Sequence, residues 1–93
     1  MLKTEFTTQF KRDYKRAVKR GCNPEKLEKI IFLLCSQQPL PLSCCDHALQ
    51  NSRNYKGVRE CHIEPDWLLV YQIQQDTLVL RLIRTGSHSD LFN

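Results

Sequence analysis

Nothing in these 93 residues approaches the roughly 18 consecutive apolar residues needed to span a membrane. The N-terminal stretch MLKTEFTTQFKRDYKR also lacks the apolar core of a secretory signal. The expectation is therefore a cytoplasmic protein with no membrane contact. Internal repeats, low-complexity tracts and linkers are absent too, so residues 1–93 read as one domain. A complete set of disulfides within one chain is excluded, because the five cysteines are odd in number; reduced thiols in a reducing compartment are expected. Cys35 lies in an apolar run and is assigned to the core. Cys44, Cys45 and His47 sit together, but there is no second pair at metal-ligand spacing and adjacent cysteines are awkward partners on one ion. No metal and no cofactor are expected. A Cys61–His62 nucleophile–base pair is disfavoured, because neighbours on a strand point to opposite faces.

What is present begins with a modest basic excess. Lys and Arg total 14 against 10 Asp and Glu, and six of the fourteen lie in KRDYKRAVKR, residues 11–20. Such a stretch is either a solvated helix face or a surface for phosphates or acidic segments. Phe6, Phe10, Tyr14, Ala17 and Val18 recur at helical spacing through it, with the cations on the other side, and Gly21 ends the helix. Asn23-Pro24 starts a second helix, with Leu27, Ile30, Ile31 and Leu34 as its buried stripe. Residues 37–57 break the period, with Pro39 and Pro41 forcing extended backbone and a short strand placed near 48–50. Strands follow at 58–64, 67–73 and 77–84, joined by turns at EPD and QQD. The fold class is α+β: a two-helix hairpin packed on an antiparallel sheet of about four strands, in the order β-α-α-β-β-β, with residues 1–5 as the first strand. GSHSDLFN is read as a short polar tail.

The helices cover one face of such a sheet and leave the other for a partner. His47, His62 and His88 all fall outside the two helices, and a meander can bring them to one face with Asp66. Imidazoles exchange protons near neutral pH. Cleaving RNA requires a base for the 2′-hydroxyl, an acid for the leaving 5′-oxygen and a cation for the crowded phosphorane; His, Asp and Arg84 supply these without a metal. Trp67 and Phe92 are candidates for stacking on bases. Each residue also has a plainer role. Trp67 packs, Asp66 turns, Arg84 pairs with a carboxylate, and Phe92 plugs the tail.

The segments GVRECHIEPDWLLVYQI and RTGSHSDLF, with PLP…DHALQ upstream, resemble the YafQ branch of the RelE/ParE toxin superfamily along the whole chain. The pattern is Gly-x-Arg-x-x-His-[Ile/Val]-Glu-Pro-Asp-Trp, closed by Arg-Thr-Gly-[Ser/Thr]-His-x-x-Leu-Phe. The resemblance implies a RelE-like fold and a bacterial type II toxin. Such a toxin is a ribosome-dependent endoribonuclease that cuts mRNA in the A site, and a cognate antitoxin protein neutralises it. Carried over, His47, His62, Asp66 and His88 are the catalytic residues, while Trp67, Arg84, Phe92 and Arg59 shape the site or hold RNA. His88 would be the proton donor or a stabilising cation, with Asp66 or His47 as base. One departure is Asn51 where the family carries Gly, in a longer loop NSRNYKG, which bears on base preference. A ParE-like toxin that inhibits DNA gyrase and a non-catalytic RNA-binding module are the competing readings; the histidine set favours the nuclease.

Overall fold

Two side-chain caps start the helical half of the chain. Thr7 Oγ1 accepts from Phe10 N at 3.0 Å and opens α1 (Thr8–Lys19); Asn23 Oδ1 accepts from Glu25 N at 3.0 Å and opens α2 (Pro24–Cys35), with Pro24 in the first turn. The computed structural model describes residues 1–49 and 57–92. Around the helices run β1 (Lys3–Phe6), a 3-10 turn (Leu42–Cys44), β2 (His47–Ala48), β3 (Val58–Glu64), β4 (Trp67–Gln74), β5 (Val79–Gly86) and a short α3 (His88–Phe92). The departure at Asn51 and most of its loop lie outside the described residues.

The α+β class and the helix hairpin are as expected, and the sheet differs in detail. It has five strands in the order β1-β5-β4-β3-β2, and β1 runs parallel to β5 while the other pairs are antiparallel. The hairpin explains this: two antiparallel helices return the chain to β1's starting end, and the meander then lays β5 beside β1 in the same direction. The segment read as a short polar tail is helical from His88, because Ser87 and Asp90 cap it reciprocally.

The core lies between the helices and one face of the sheet. Phe10, Ala17, Leu27, Ile30, Leu34 and Cys35 meet Cys61, Trp67, Leu69, Tyr71, Leu80 and Leu82 there. Each large apolar side chain so buried contributes ~1.5–3 kcal/mol. The apolar stripe of α1 is rotated from the expected one. Phe6 belongs to β1 and Val18 is exposed, whereas Asp13 is buried between Phe10 and Ala17.

A buried carboxylate needs partners, and Asp13 has four donor residues, among them Arg16, whose Nη2 donates to Oδ1 at 3.2 Å. Arg84 donates through Nε to Oδ2 at 3.0 Å and through Nη2 to Oδ1 at 3.1 Å, Thr85 N donates at 3.2 Å, and Gln9 Nε2 at 3.0 Å. Burial pushes the Asp13 carboxyl up, but the hydrogen bonds from Arg84, Gln9 and Thr85 outweigh it and hold the group below its usual value. Arg84 and Thr85 meet Asp13 together because of a bulge. Val70 pairs with Arg84 and Tyr71 with Leu82, so Ile83 is an extra residue in β5. Strict alternation would send Arg84 inward after Leu80 and Leu82; the bulge gives the inward place opposite Leu69 to Thr85. Thr7 Oγ1 fastens the same spot by donating to Ile83 O at 2.7 Å.

Asp13→Ala strands Arg84 and the Thr85 amide. Removing one partner of a buried pair costs ~3–5 kcal/mol, and the low end applies because Arg84 retains contact with water. About 3 kcal/mol lowers Tm by roughly 12–24 °C in a domain of this size. Thermal unfolding by circular dichroism tests this; a shift below about 4 °C would show that the network does not hold α1 to β5.

Candidate active site

Glu64-Pro65-Asp66-Trp67 turns β3 into β4, and a second bulge sits just before it. His62 pairs with Leu68 and Glu64 with Trp67, which leaves Ile63 as the extra residue. Alternation then puts Glu60 and His62 of β3 on the same side as Leu68 and Val70 of β4, away from the helices. Leu68 and Val70 are buried and form an apolar floor. His62 Nδ1 lies 3.3 Å from Pro65 O. A carbonyl only accepts, so Nδ1 carries the proton, and in the neutral ring Nε2 presents the lone pair.

Asp66 projects from the turn toward the start of α3. Its Oδ1 accepts from His88 N at 3.1 Å and from His88 Nδ1 at 2.9 Å. The His88 side-chain and backbone hydrogen bonds hold the Asp66 carboxyl below its ordinary value. A carboxylate so engaged is a poor base, and its use is to orient the ring and support an imidazolium. With Nδ1 taken, proton exchange with a substrate falls to His88 Nε2. The rings of His62 and His88 lie 5.6 Å apart, centroid to centroid. The turn between β3 and β4 and the start of α3 thus bring together three of the four expected catalytic residues.

The fourth, His47, joins through a residue the sequence reading missed. His47 pairs with Glu60 across β2–β3, and its Nε2 lies 3.6 Å from Glu60 Oε1; its Nδ1 donates to Cys45 O at 2.8 Å. Glu60 is buried, two residues before His62 on one strand face, so a period-2 reading from His62 was the available signal. The loop bearing His47 is fastened from the other side of the sheet. Asp46 accepts a short hydrogen bond from Tyr71 Oη and a two-nitrogen grip from Arg59, with Arg59 Nη2 at 2.9 Å.

The four residues expected to hold RNA are dispersed. Arg59 is on the helix side of β3 and bound to Asp46, so it props the His47 loop. Trp67 is 4% exposed and donates from Nε1 to Thr85 Oγ1 at 2.9 Å; its ring faces are packed, leaving no room for a base to stack. Both lie away from the open face for one reason: alternation from His62 and Leu68 turns odd positions 59 and 67 toward the core. Arg84 stands opposite Val70 but shares its charge with Asp13. Phe92 is half exposed at the end of α3, one helical turn beyond His88. Cys61 is fully buried and burial pushes its thiol up to about 12, so it is no nucleophile.

Among the described residues, Glu60, His62 and His88 offer donor atoms within 4.8 Å of one another. Two imidazoles and a carboxylate suit a first-row transition metal. The sequence reading, which looked to cysteine spacing, did not find this group. No helix of the described residues is long and apolar enough to cross a membrane.

The profile of the family described as "Bacterial toxin of type II toxin-antitoxin system, YafQ" matches residues 2–93. The chain belongs to the YafQ toxin family. It is 43% identical over 89 residues to the "mRNA interferase toxin YafQ" of Escherichia coli (strain B / BL21-DE3), covering 95% of this chain and 92% of that protein. Its fold superposes with a TM-score of 0.91 on a metal-bound toxin from Helicobacter pylori, 42% identical, covering 99% of this chain and 100% of the other. The YafQ chain of the E. coli DinJ-YafQ complex gives a TM-score of 0.89 at 40% identity, with both chains covered in full.

The lowered Asp66 value carries a sign. The bond to His88 is present above the ordinary carboxylate value of 3.8 and is lost as pH falls through the lower folded value. Carbon-detected NMR titration should place the Asp66 midpoint below 3.8, and His88→Ala, which removes the ring but keeps the backbone amide, should raise it part of the way back. An Asp66 midpoint that His88→Ala leaves in place would dissolve the pair.

Proposed function

We propose that this toxin is an mRNA interferase in which His88 is the proton donor and His62 the base of a metal-independent RNA cleavage, performed on the ribosome. The observation that carries the reading is the Asp66–His88 pair at 2.9 Å with the His62 ring beside it on the open face of the sheet. The E. coli relative's name, mRNA interferase toxin, supports the activity. The E. coli DinJ-YafQ complex supports a cognate antitoxin as partner.

The steps balance between the two histidines. His62 Nε2 takes the proton of the 2′-hydroxyl as the oxygen attacks the adjacent phosphorus. The O2′–P bond forms, the P–O5′ bond breaks, and His88 Nε2 gives its proton to the departing O5′. The products are a 2′,3′-cyclic phosphate and a 5′-hydroxyl end. Asp66 supports His88 in its charged form. Glu60 steadies His47, whose Nε2 borders the same face, and Arg84 adds positive charge beneath the phosphorane. Phe92 is placed to stack on a base. A metal ion on Glu60, His62 and His88 would occupy the imidazole lone pairs this chemistry uses. The exposed cations of α1 at Lys11, Arg12, Lys15 and Lys19 face ribosomal RNA phosphates. The setting is the cytoplasm, where mRNA is translated.

Single-turnover cleavage on programmed ribosomes tests the assignment. Loss of one proton-transfer group costs ~10²–10⁴ in rate, so His88→Ala and His62→Ala should each fall by that much while keeping the circular dichroism of the wild type. A folded His88→Ala that cleaves at the wild-type rate would remove His88 from the mechanism. Cleavage should persist with a transition-metal chelator at constant magnesium; its loss would sink metal independence.

A further inference from the structure

We propose that Asp90 is a positioning residue, clamped by Arg20 of α1, that sets His88 in register with Asp66. The inference rests on the reading of His88 as proton donor.

His88 rides on a helix too short to hold itself. α3 has five residues, and isolated helices of that length do not persist in water. The Asp66–His88 contact alone is a weak tether, because both side chains are more than half exposed. Asp90 supplies what is missing. Its Oδ2 accepts from Ser87 N at 3.0 Å while its own amide donates to Ser87 Oγ at 3.1 Å, a reciprocal cap that fixes residues 87–90 with His88 inside the loop. The same carboxylate is held by α1. Arg20 donates through Nη1 to Oδ2 at 2.6 Å and through Nη2 to Oδ1 at 3.3 Å, and Arg16 Nη1 lies 3.4 Å from Oδ1. α1 is itself fixed to β5 through Asp13, so the ties form one chain from the core to the ring of His88.

Gly86 gives an independent sign that Asp90 is seated closely. Its φ is +156°, which side chains with a Cβ rarely adopt, and a Cβ there would meet Asp90 Oδ2 at 2.9 Å and Asp90 Cβ at 3.0 Å. The strand end has no side chain where the carboxylate packs. Arg16 and Arg20 also stop being ordinary members of the basic face of α1, since their charge is spent on the site rather than offered to phosphate.

A positioning role and a phosphate-binding role differ in what they change. Misplacing a reacting group slows the bound complex, whereas losing a phosphate contact weakens binding and lowers its salt dependence. Asp90→Asn and Arg20→Gln should each lower the single-turnover rate at saturating toxin by on the order of tenfold to a hundredfold, with the half-saturating concentration within about twofold. Arg20→Gln leaves the Ser87–Asp90 cap in place and so serves if Asp90→Asn does not fold. Arg20→Lys, which keeps the charge but not the two-nitrogen grip, should fall between Arg20→Gln and wild type. In a His88→Ala background, Arg20→Gln should cost nothing further. Wild-type saturating rates for folded Asp90→Asn and Arg20→Gln, with His88→Ala inactive, overturn the clamp and leave the mechanism standing. So does an Arg20→Gln defect confined to affinity. An active His88→Ala overturns the mechanism itself, and the clamp with it.

Discussion

The buried carboxylate of Asp13 is the constraint on which the rest of the molecule turns. It sits in the apolar stripe of α1, where a charge is costly unless fully paired. Its partners, Arg84 and the Thr85 amide, lie on the far part of β5, beyond the stretch that β1 covers. That pairing fixes the slide and rotation of α1 against the sheet, which packing of Phe10 and Ala17 alone would leave looser. It also depends on the Ile83 bulge, because only the bulge turns Thr85 inward while Arg84 stays opposite Val70. Thr85, once inward, holds the indole of Trp67 and the carbonyl of Leu68, and so braces the strand that follows the Asp66 turn.

The two bulges divide the labour of the sheet. One side is a conventional core. The other carries Glu60 and His62 over a floor of Leu68 and Val70. His47 reaches this side from β2, Asp66 from the turn, and His88 from the short helix after β5. Three separate elements therefore meet where strand ends are close, and each is anchored from behind: His47 by Asp46, Tyr71 and Arg59, His62 by the Pro65 carbonyl, His88 by Asp66. Burial and the carboxylate of Asp46 both push the Tyr71 hydroxyl well above its usual value, so it stays a donor at any physiological pH.

Periodicity made the helices and three main strands legible, because apolar spacing records which face is buried. It placed β3 and β4 almost to the residue. It failed at Asp13, since a buried charge looks in sequence like a solvent-facing one, and its partners lie about seventy residues away. The resemblance did not separate Arg59 and Trp67 from the open face, because its motif holds site and support alike; only strand parity separates them. Glu60 was within reach of the same parity argument. The helical tail was hidden because Ser87 and Asp90, a capping pair, stand among residues that otherwise read as coil. Parallel pairing of β1 was implicit in the hairpin but not in any residue of β1 itself.

The proposed chemistry meets one physical difficulty, and the structure suggests where its solution lies. His47, His88 and Asp66 are each more than half exposed. In that setting water screens the charges that should stabilise a phosphorane, and a pair such as Asp66–His88 gains little over solvent. Electrostatic catalysis becomes effective when water is excluded and the dipoles are fixed beforehand. The chain fixes its own half of the geometry through the Asp13, Asp46 and Asp90 carboxylates. Among the described residues, this face leaves His47, His88 and Asp66 open to water. A substrate held against that surface by a larger body would supply the missing wall and drive out the water. Under the proposed function, ribosome dependence would follow from the open site, and the basic face of α1 would bring the wall into place.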